Sequence, residues 1–298
     1  MKYSKSIIFI LMVSFIFSCK KKDDDTTTSV VTPAPTITAV PATFTQKVMI
    51  EENTGNWCGW CVLGAEGIKK ANETFPGRVN AVALHGGGQD AMTVPEYNTM
   101  LTFANVSGVP HYRLNRGSGG GFPGSFSSAV AGSLNQVAQC GLAIDAKKSS
   151  GTTVSFDVHA GFNTTLTGDY RLMVYLVEDA VTGTGGGYNQ SNYVSNDPNY
   201  STSAYYSLPA TITNYTHKHV ARKLLSATLS DGDQIPAANV AAGKSFVKTY
   251  TFTIPSANGW NPANIRVVAG IMKYSSNCSL QKIMNSQSAL LGSLKNWD

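Results

Sequence analysis

The chain has 298 residues, a length that suits about two domains. Its 42% hydrophobic content is enough for real cores, while only 14% charged residues and a Gly/Thr/Ser/Asn-rich texture read as an exported, β-rich protein rather than a cytosolic enzyme. The formal charge of +5 includes Lys2 and Lys5, so +3 remains once residues 1–18 are removed, and no basic cluster sits among aromatics to support a nucleic-acid partner.

Lys2 and Lys5 precede an apolar run, Ile7 to Phe17, broken only by Ser14. The run is too short to cross a hydrocarbon core of about 30 Å as a helix, and it suits a signal-peptide core, giving a signal peptide over 1–18. It ends in "IFSC", which resembles a bacterial lipobox and implies that Cys19 is lipidated and anchors the chain to a membrane. The "KKKDDD" of Lys20 to Asp25 resembles the acidic export signal of Bacteroidota surface lipoproteins, implying the outer membrane and exposure at the cell surface. The Thr/Pro-rich stretch that follows cannot bury a core, so residues 19–45 read as an anchor and tether.

From 46 to 139 the pattern alternates. "KVMIEE" reads as a strand, "CVLGAEGIKKANETF" as a helix stopped by Pro76-Gly77, and "RVNAVALH" as a second apolar strand closed by three glycines. "VPEYNTMLTFANV" predicts a helix, "PHYRLNR" a strand, and "GSFSSAVAGSLNQVA" a last helix after Pro123-Gly124. Strands alternating with helices predict a small α/β sheet.

From 140 to 298 the runs "GLAIDAK", "TTVSFDVHAG", "DYRLMVYLVED", "HKHVARKLLSATL", "SFVKTYTFTIP", "NIRVVAGIMKY" and "SLQKIMNSQSAL" are strand-like. Several alternate apolar and polar residues and none is clearly helical, which predicts an all-β sandwich of Ig-like kind. Between the third and fourth runs, residues 183–215 form a long Gly/Asn/Ser/Tyr-rich segment, of a length that is usually functional or mobile.

The stretch "NWCGWC" sets Cys58 and Cys61 two residues apart. A disulfide stabilises mainly by closing a loop in the unfolded chain, and this pair closes almost none, so its value lies in chemistry rather than in stability. If the pair opens a helix, residues three apart share a face and come within disulfide reach. The first-turn N–H groups and the helix dipole then favour a thiolate at Cys58, and a thiolate is the attacking species. Cys61, one turn in, would be more buried and would resolve the mixed disulfide.

The order strand, loop, "WCGWC", helix resembles the first βαβ unit of the thioredoxin family, with Trp60 in place of the usual proline. "VSGVPHYRLNR" resembles the segment that carries that family's cis-proline, implying that Pro110 and Val109 face the cysteines and help hold an incoming peptide. The resemblance also implies a buried carboxylate six positions before the first cysteine, which is Glu52, able to take or give the proton of Cys61. Glu51 points to the opposite face of the strand. Trp57, Gly59 and Trp60 would form an apolar rim that receives polypeptide. "GSGGGF" stands where the family has a further strand, so a shortened edge hairpin is expected.

The lipobox, "EENTGNWCGWC", "GVPHYRLNR" and "HKHVARKLL" in a β-rich second half together resemble the thioredoxin-like outer-membrane lipoproteins of Bacteroidota, the twenty-eight-kilodalton outer-membrane protein family. That likeness implies location and fold more than chemistry.

A zinc site needs four Cys/His ligands, and no second pair matches Cys58 and Cys61, so no metal is expected there. His111 follows Pro110 and could approach the pair, which leaves a copper-type site of thiolates plus histidine as the alternative; His217 and His219 share one strand face, the pattern of a metal half-site or of a plain polar face. His85 reads as a strand-end residue, and His159 carries no signal. With Cys19 and the pair set aside, Cys140 and Cys278 remain, and in an oxidising compartment an even remainder points to a structural disulfide, with two separate buried thiols as the alternative.

The resulting expectation is an envelope lipoprotein whose thioredoxin-like domain is a thiol–disulfide oxidoreductase. Cys58, Cys61, Glu52 and Pro110 would be catalytic, proteins the substrates, a partner protein the electron source, and no soluble cofactor would be required. The alternative is a cell-surface binding or adhesion lipoprotein in which the same fold is a scaffold and the sandwich and its long segment bind a ligand. Redox cycling separates the two.

Overall fold

The structure, a computed structural model, describes residues 35–298 apart from 121, 123–125, 148, 257 and 258. The signal sequence, Cys19 and the Pro123-Gly124 helix start lie outside the described residues.

In chain order the first elements are β1 (Val48–Thr54), α1 (Cys61–Thr74), β2 (Val79–His85), α2 (Glu96–Ala104), β3 (His111–Leu114), β4 (Ser118–Gly120) and α3 (Phe126–Leu134). Strands follow: β5 (Cys140–Asp145), β6 (Ser149–Ser150), β7 (Thr153–Phe162), β8 (Tyr170–Glu178), β9 (Gln190–Ser191), β10 (Thr211–Ile212), β11 (Val220–Leu224) and β12 (Asp233–Ile235). The chain closes with β13 (Ser245–Thr253), β14 (Ile265–Lys273), β15 (Lys282–Leu290) and β16 (Leu294–Lys295). The fold is mixed α/β, dominated by sheets, and among the described residues its α-helices lie only in the first half of the chain.

One large sheet runs β15-β14-β8-β11-β2-β1-β3-β4, with β12 also paired to β8. β1 and β2 are parallel and buried at every position, as continuous apolar runs demand when both faces are covered. β3 pairs antiparallel with β1, and β4 adds only three residues beyond it, the shortened hairpin that "GSGGGF" predicted. The sheet does not stop at the end of the first half. β11 joins β2 through Val220 opposite Ala83, and the Ala83 N–H donates to His219 O at 2.7 Å.

A second sheet, β13-β7-β5-β16 with β6 beside β7, packs on the β8 and β14 part of the first. Along β7 the alternating burial puts Val154, Phe156, Val158 and Ala160 inward against Leu172, Val174, Leu176 and Ile271. The other end of the large sheet is covered on one face by α1 and α3, whose Ile68, Ala71, Phe126 and Val130 pack on Val48 and Ile50. On the opposite face Met100 of α2 joins Met49, Val82 and Tyr175.

The disulfide expected between Cys140 and Cys278 does not form; both thiols are free. Cys140 sits on β5 inside the core between the two sheets, where burial pushes its thiol up to about 12. Cys278 lies on the half-buried 3-10 turn between β14 and β15, close enough to Arg113 to act on its charge. An even count of cysteines says nothing of where the strands carry them.

Candidate functional site

Three pieces meet at the C-terminal end of β1. The first is the turn Asn56–Trp60 that leaves β1. The Cys58 N–H donates to Gly55 O at 3.1 Å and the Cys61 N–H to Cys58 O at 3.1 Å, so the turn runs directly into α1, which begins at Cys61. Cys58 therefore stands just before the helix rather than on it. The two cysteines are joined as a disulfide, their Cα atoms 5.3 Å apart. No acidic side chain occupies the first turn of α1 and Trp60 gives no side-chain cap, so nothing there offsets the positive end of the helix dipole that favours a thiolate.

The second piece is the Val109–Pro110 bend. Its peptide bond is cis, and it delivers the chain into β3 with His111 opposite Asn53. The bend thus lies at the same sheet end as the turn. His111 is half-buried, and burial, followed by the charge of Arg113, holds its imidazole below the usual range.

The third piece is the carboxyl pair on β1. Glu51 and Glu52 are both buried and, as strand alternation requires, face opposite sides. Arg116, itself wholly buried, donates to Glu51 from Nε at 2.9 Å and from Nη2 at 2.8 Å, and the Tyr175 hydroxyl donates to Glu51 Oε1 at 2.6 Å. Burial opposes ionisation of Glu51 most strongly, but the Arg116 charge and the hydrogen bonds from Arg116 and Tyr175 together outweigh it, and its carboxyl is held below the usual range. Glu52 has no such partner: its Oε1 makes no hydrogen bond, and burial alone pushes its carboxyl up to about 8. A Cβ on Gly64 would overlap that same oxygen, so the glycine in α1 makes the room for it.

Segment 183–215, the ligand-binding element of the alternative reading, lies over this site. The Ser191 N–H donates to Asn56 O at 2.7 Å, the Tyr193 N–H to Gly59 O at 3.0 Å, and Gln190 Nε2 to Cys58 O at 2.9 Å. A Cβ on Gly59 would overlap the Tyr193 ring, and Trp60 packs edge-on against Tyr193 with centroids 5.6 Å apart. Val194 is buried with Val62 and Leu63 of α1. Trp57 and Trp60 keep the half-exposed rim positions expected of them, at 43% and 39% exposed. Cys58 does not keep its expected exposure. It is 5% exposed, no more open than Cys61 at 3%, because the segment covers the turn.

The same segment walls a cavity of about 540 Å³ on the other flank of the disulfide. Its lining includes Glu52, Cys61, His85, Tyr205, Tyr215 and His217. Lys69, Thr216 and Lys218 also line it and are exposed, so the cavity opens to solvent at that end. The Tyr205 and Tyr215 hydroxyls are 2.9 Å apart, and His217 is pulled down to about 4 by burial and by His85 beside it. His85 is hydrogen-bonded to Asp90 at 2.8 Å, and Asp90 accepts the Asn56 N–H at 2.8 Å, which fixes the start of the cysteine turn. Among the described residues no group of three or more His, Cys, Asp and Glu side chains is arranged to hold a metal ion, and His217 and His219 take separate partners. His217 Nε2 bonds Tyr188 O at 2.9 Å, while His219 Nδ1 lies 3.2 Å from Asp179.

The family model of the outer membrane protein Omp28 matches residues 98–294. It begins beyond the cysteine pair, β1 and β2, and spans the strands from β3 onward together with segment 183–215. Comparison with curated protein sequences finds no match. Among solved structures, HBP35 of Porphyromonas gingivalis aligns with a TM-score of 0.62 at 17% identity over 85% of this chain and 77% of its own. Protein AGR_C_4864 from Agrobacterium tumefaciens aligns at 0.50 and 13% identity over 83% of this chain and 95% of its own. A domain of the outer membrane lipoprotein Omp28 from Porphyromonas gingivalis aligns at 0.31 and 11% identity, over 55% of this chain and 93% of its own. The chain is thus similar in fold to HBP35 and, less closely, to AGR_C_4864. It belongs to the outer membrane protein Omp28 family, and with that family it is an outer-membrane lipoprotein.

Proposed function

We propose that the Cys58–Cys61 pair is a thiol–disulfide exchange centre carried by a thioredoxin-like region, residues 46–139, of this outer-membrane lipoprotein. Cys19 would be the lipid anchor and residues 140–298 an Ig-like sandwich. Parallel β1 and β2, antiparallel β3 entered through a cis-proline, and a disulfide leading into α1 all support the thioredoxin-like reading.

The observation that carries the proposal is Glu52. A structural staple gains nothing from a carboxyl buried without a partner, which is costly to place there. An exchange centre does gain: each turnover creates and removes a thiolate, and a carboxyl whose proton is held near neutral pH can give or take the proton of Cys61. Cys58, at the helix start, is the better thiolate of the two. Val109 and Pro110 shape the adjacent rim, and the pair needs no soluble cofactor.

A second reading is favoured by the burial of both cysteines: a surface binding scaffold whose disulfide is permanent. Equilibration with dithiothreitol separates them. The exchange reading expects a reversible, measurable potential with the far-ultraviolet circular dichroism unchanged, and insulin reduction that is lost in Cys58→Ser. A pair that can be reduced only when the chain unfolds leaves the scaffold.

A further inference from the structure

The covering segment closes one approach to the disulfide and builds another. An extended polypeptide pairing with the cysteine turn would compete with Gln190–Tyr193, since the carbonyls of Asn56, Cys58 and Gly59 are taken by Ser191, Gln190 and Tyr193. Cys61 and Glu52, by contrast, line the cavity of about 540 Å³ that opens beside α1, and Cys58 does not line it. That volume fits a small organic molecule, and the cavity has the mostly apolar wall with a few convergent polar groups that such ligands require. Among the lining residues Glu52 is the one whose buried carboxyl oxygen has no hydrogen-bond partner.

We infer that the partner of the Cys58–Cys61 disulfide is a low-molecular-weight thiol that enters this cavity and attacks Cys61 Sγ. The inference rests on the exchange reading above and names its substrate class. In the first step the thiolate RS⁻ bonds to Cys61 Sγ, the Cys58–Cys61 bond breaks, and Cys58 leaves with the electron pair as a thiolate. This is the favoured direction, because a disulfide breaks fastest when the sulfur better stabilised as a thiolate departs, and Cys58 is the one at the helix start. In the second step another RS⁻ attacks the R sulfur of the mixed disulfide, releasing RSSR and the Cys61 thiolate. Glu52 is placed to protonate that thiolate. Overall two RSH are oxidised to RSSR, the pair is reduced to the dithiol, and the two thiol protons end on Cys58 and Cys61.

The test uses the purified full-length chain with its disulfide intact and two reductants, L-cysteine and reduced, unfolded ribonuclease. Reactions are quenched with acid and iodoacetamide and mapped by mass spectrometry. The expected result is a cysteine adduct on Cys61, with L-cysteine reducing the pair at least tenfold faster per thiol than the protein. Thr216→Trp, which plugs the open end of the cavity from an exposed position, should slow L-cysteine at least tenfold while leaving the equilibrium fraction reduced unchanged. Tyr193→Ala should leave the L-cysteine rate within twofold. An adduct on Cys58, faster reduction by the protein thiols, or a rate indifferent to Thr216→Trp overturns the inference and leaves the exchange reading standing. Failure of both reductants on the folded chain removes the exchange reading and the inference with it.

Discussion

Glu51 and Glu52 are consecutive on β1, both buried, and opposite in state: one is ionised against Arg116, and the other is held protonated at neutral pH. Strand alternation places them on opposite faces, and only one face carries a guanidinium. A single peptide unit thus separates a structural ion pair from the unpartnered carboxyl of the candidate site.

Glu52 gives stability a distinctive pH dependence. Its carboxyl is raised in the folded chain to about 8 by burial, so between roughly pH 4.5 and 8 the native state binds more protons than the unfolded one. Unfolding free energy therefore falls as pH rises through that window, by on the order of 4–5 kcal/mol in full. Glu52→Gln removes this dependence. Urea titrations at pH 5 and pH 9 should find the variant close to the wild type at the lower pH and more stable at the higher. An unchanged difference between the two pH values would contradict the buried, unpartnered carboxyl.

The Glu51–Arg116 pair responds differently. Either Glu51→Leu or Arg116→Met strands one charge in the interior, at a cost of about 3–5 kcal/mol. The double variant should lose clearly less than the sum, because no buried charge is left unpaired. Chemical denaturation of the four proteins measures the coupling.

Gly64→Ala tests the seat of the Glu52 carboxyl. The added methyl overlaps Glu52 Oε1 in the observed arrangement, so the side chain or the helix must shift, at a cost of roughly 1–3 kcal/mol. The neighbouring Gly67→Ala, which meets the rings of Phe122 and Phe126 instead, serves as a control that leaves Glu52 untouched. The pH profile should change only in the first variant.

The two free thiols should differ sharply in reactivity. At pH 8 iodoacetamide should label Cys278 in the native chain and leave Cys140 untouched, since the latter is wholly buried with its thiol pushed up to about 12. Peptide mapping with and without guanidinium gives the answer directly.

Much of the site was readable from local pattern. Uninterrupted apolar runs at β1 and β2, the helical spacing after Cys61, the Gly-Val-Pro before β3 and the two-residue alternation at Glu51 and Glu52 are all short-range signals, and each led to the element observed. Segment 183–215 was not readable in the same way. Its Gly, Asn and Tyr residues have no period, and its position is set by hydrogen bonds to carbonyls about 130 residues earlier in the chain (Ser191 to Asn56, Gln190 to Cys58). The cover over Cys58, the cavity beside Cys61 and the pairing of β11 with β2 all come from such distant contacts. The Cys140–Cys278 expectation failed for the same reason, because counting cysteines carries no information on which sheet face holds them.

The seam between β2 and β11 bears on how the chain can be cut. A fragment that stopped at Gln139 would bare the outer edge of β2. It would also lose Met173, Tyr175 and Val177, which shield Val82 and Leu84, and with Tyr175 one of the donors to Glu51. An unprotected apolar strand edge is a template for self-association, so the isolated fragment should clump rather than stay dispersed. The cysteine pair and the sheets downstream are thus obliged to be made, folded and kept as one piece.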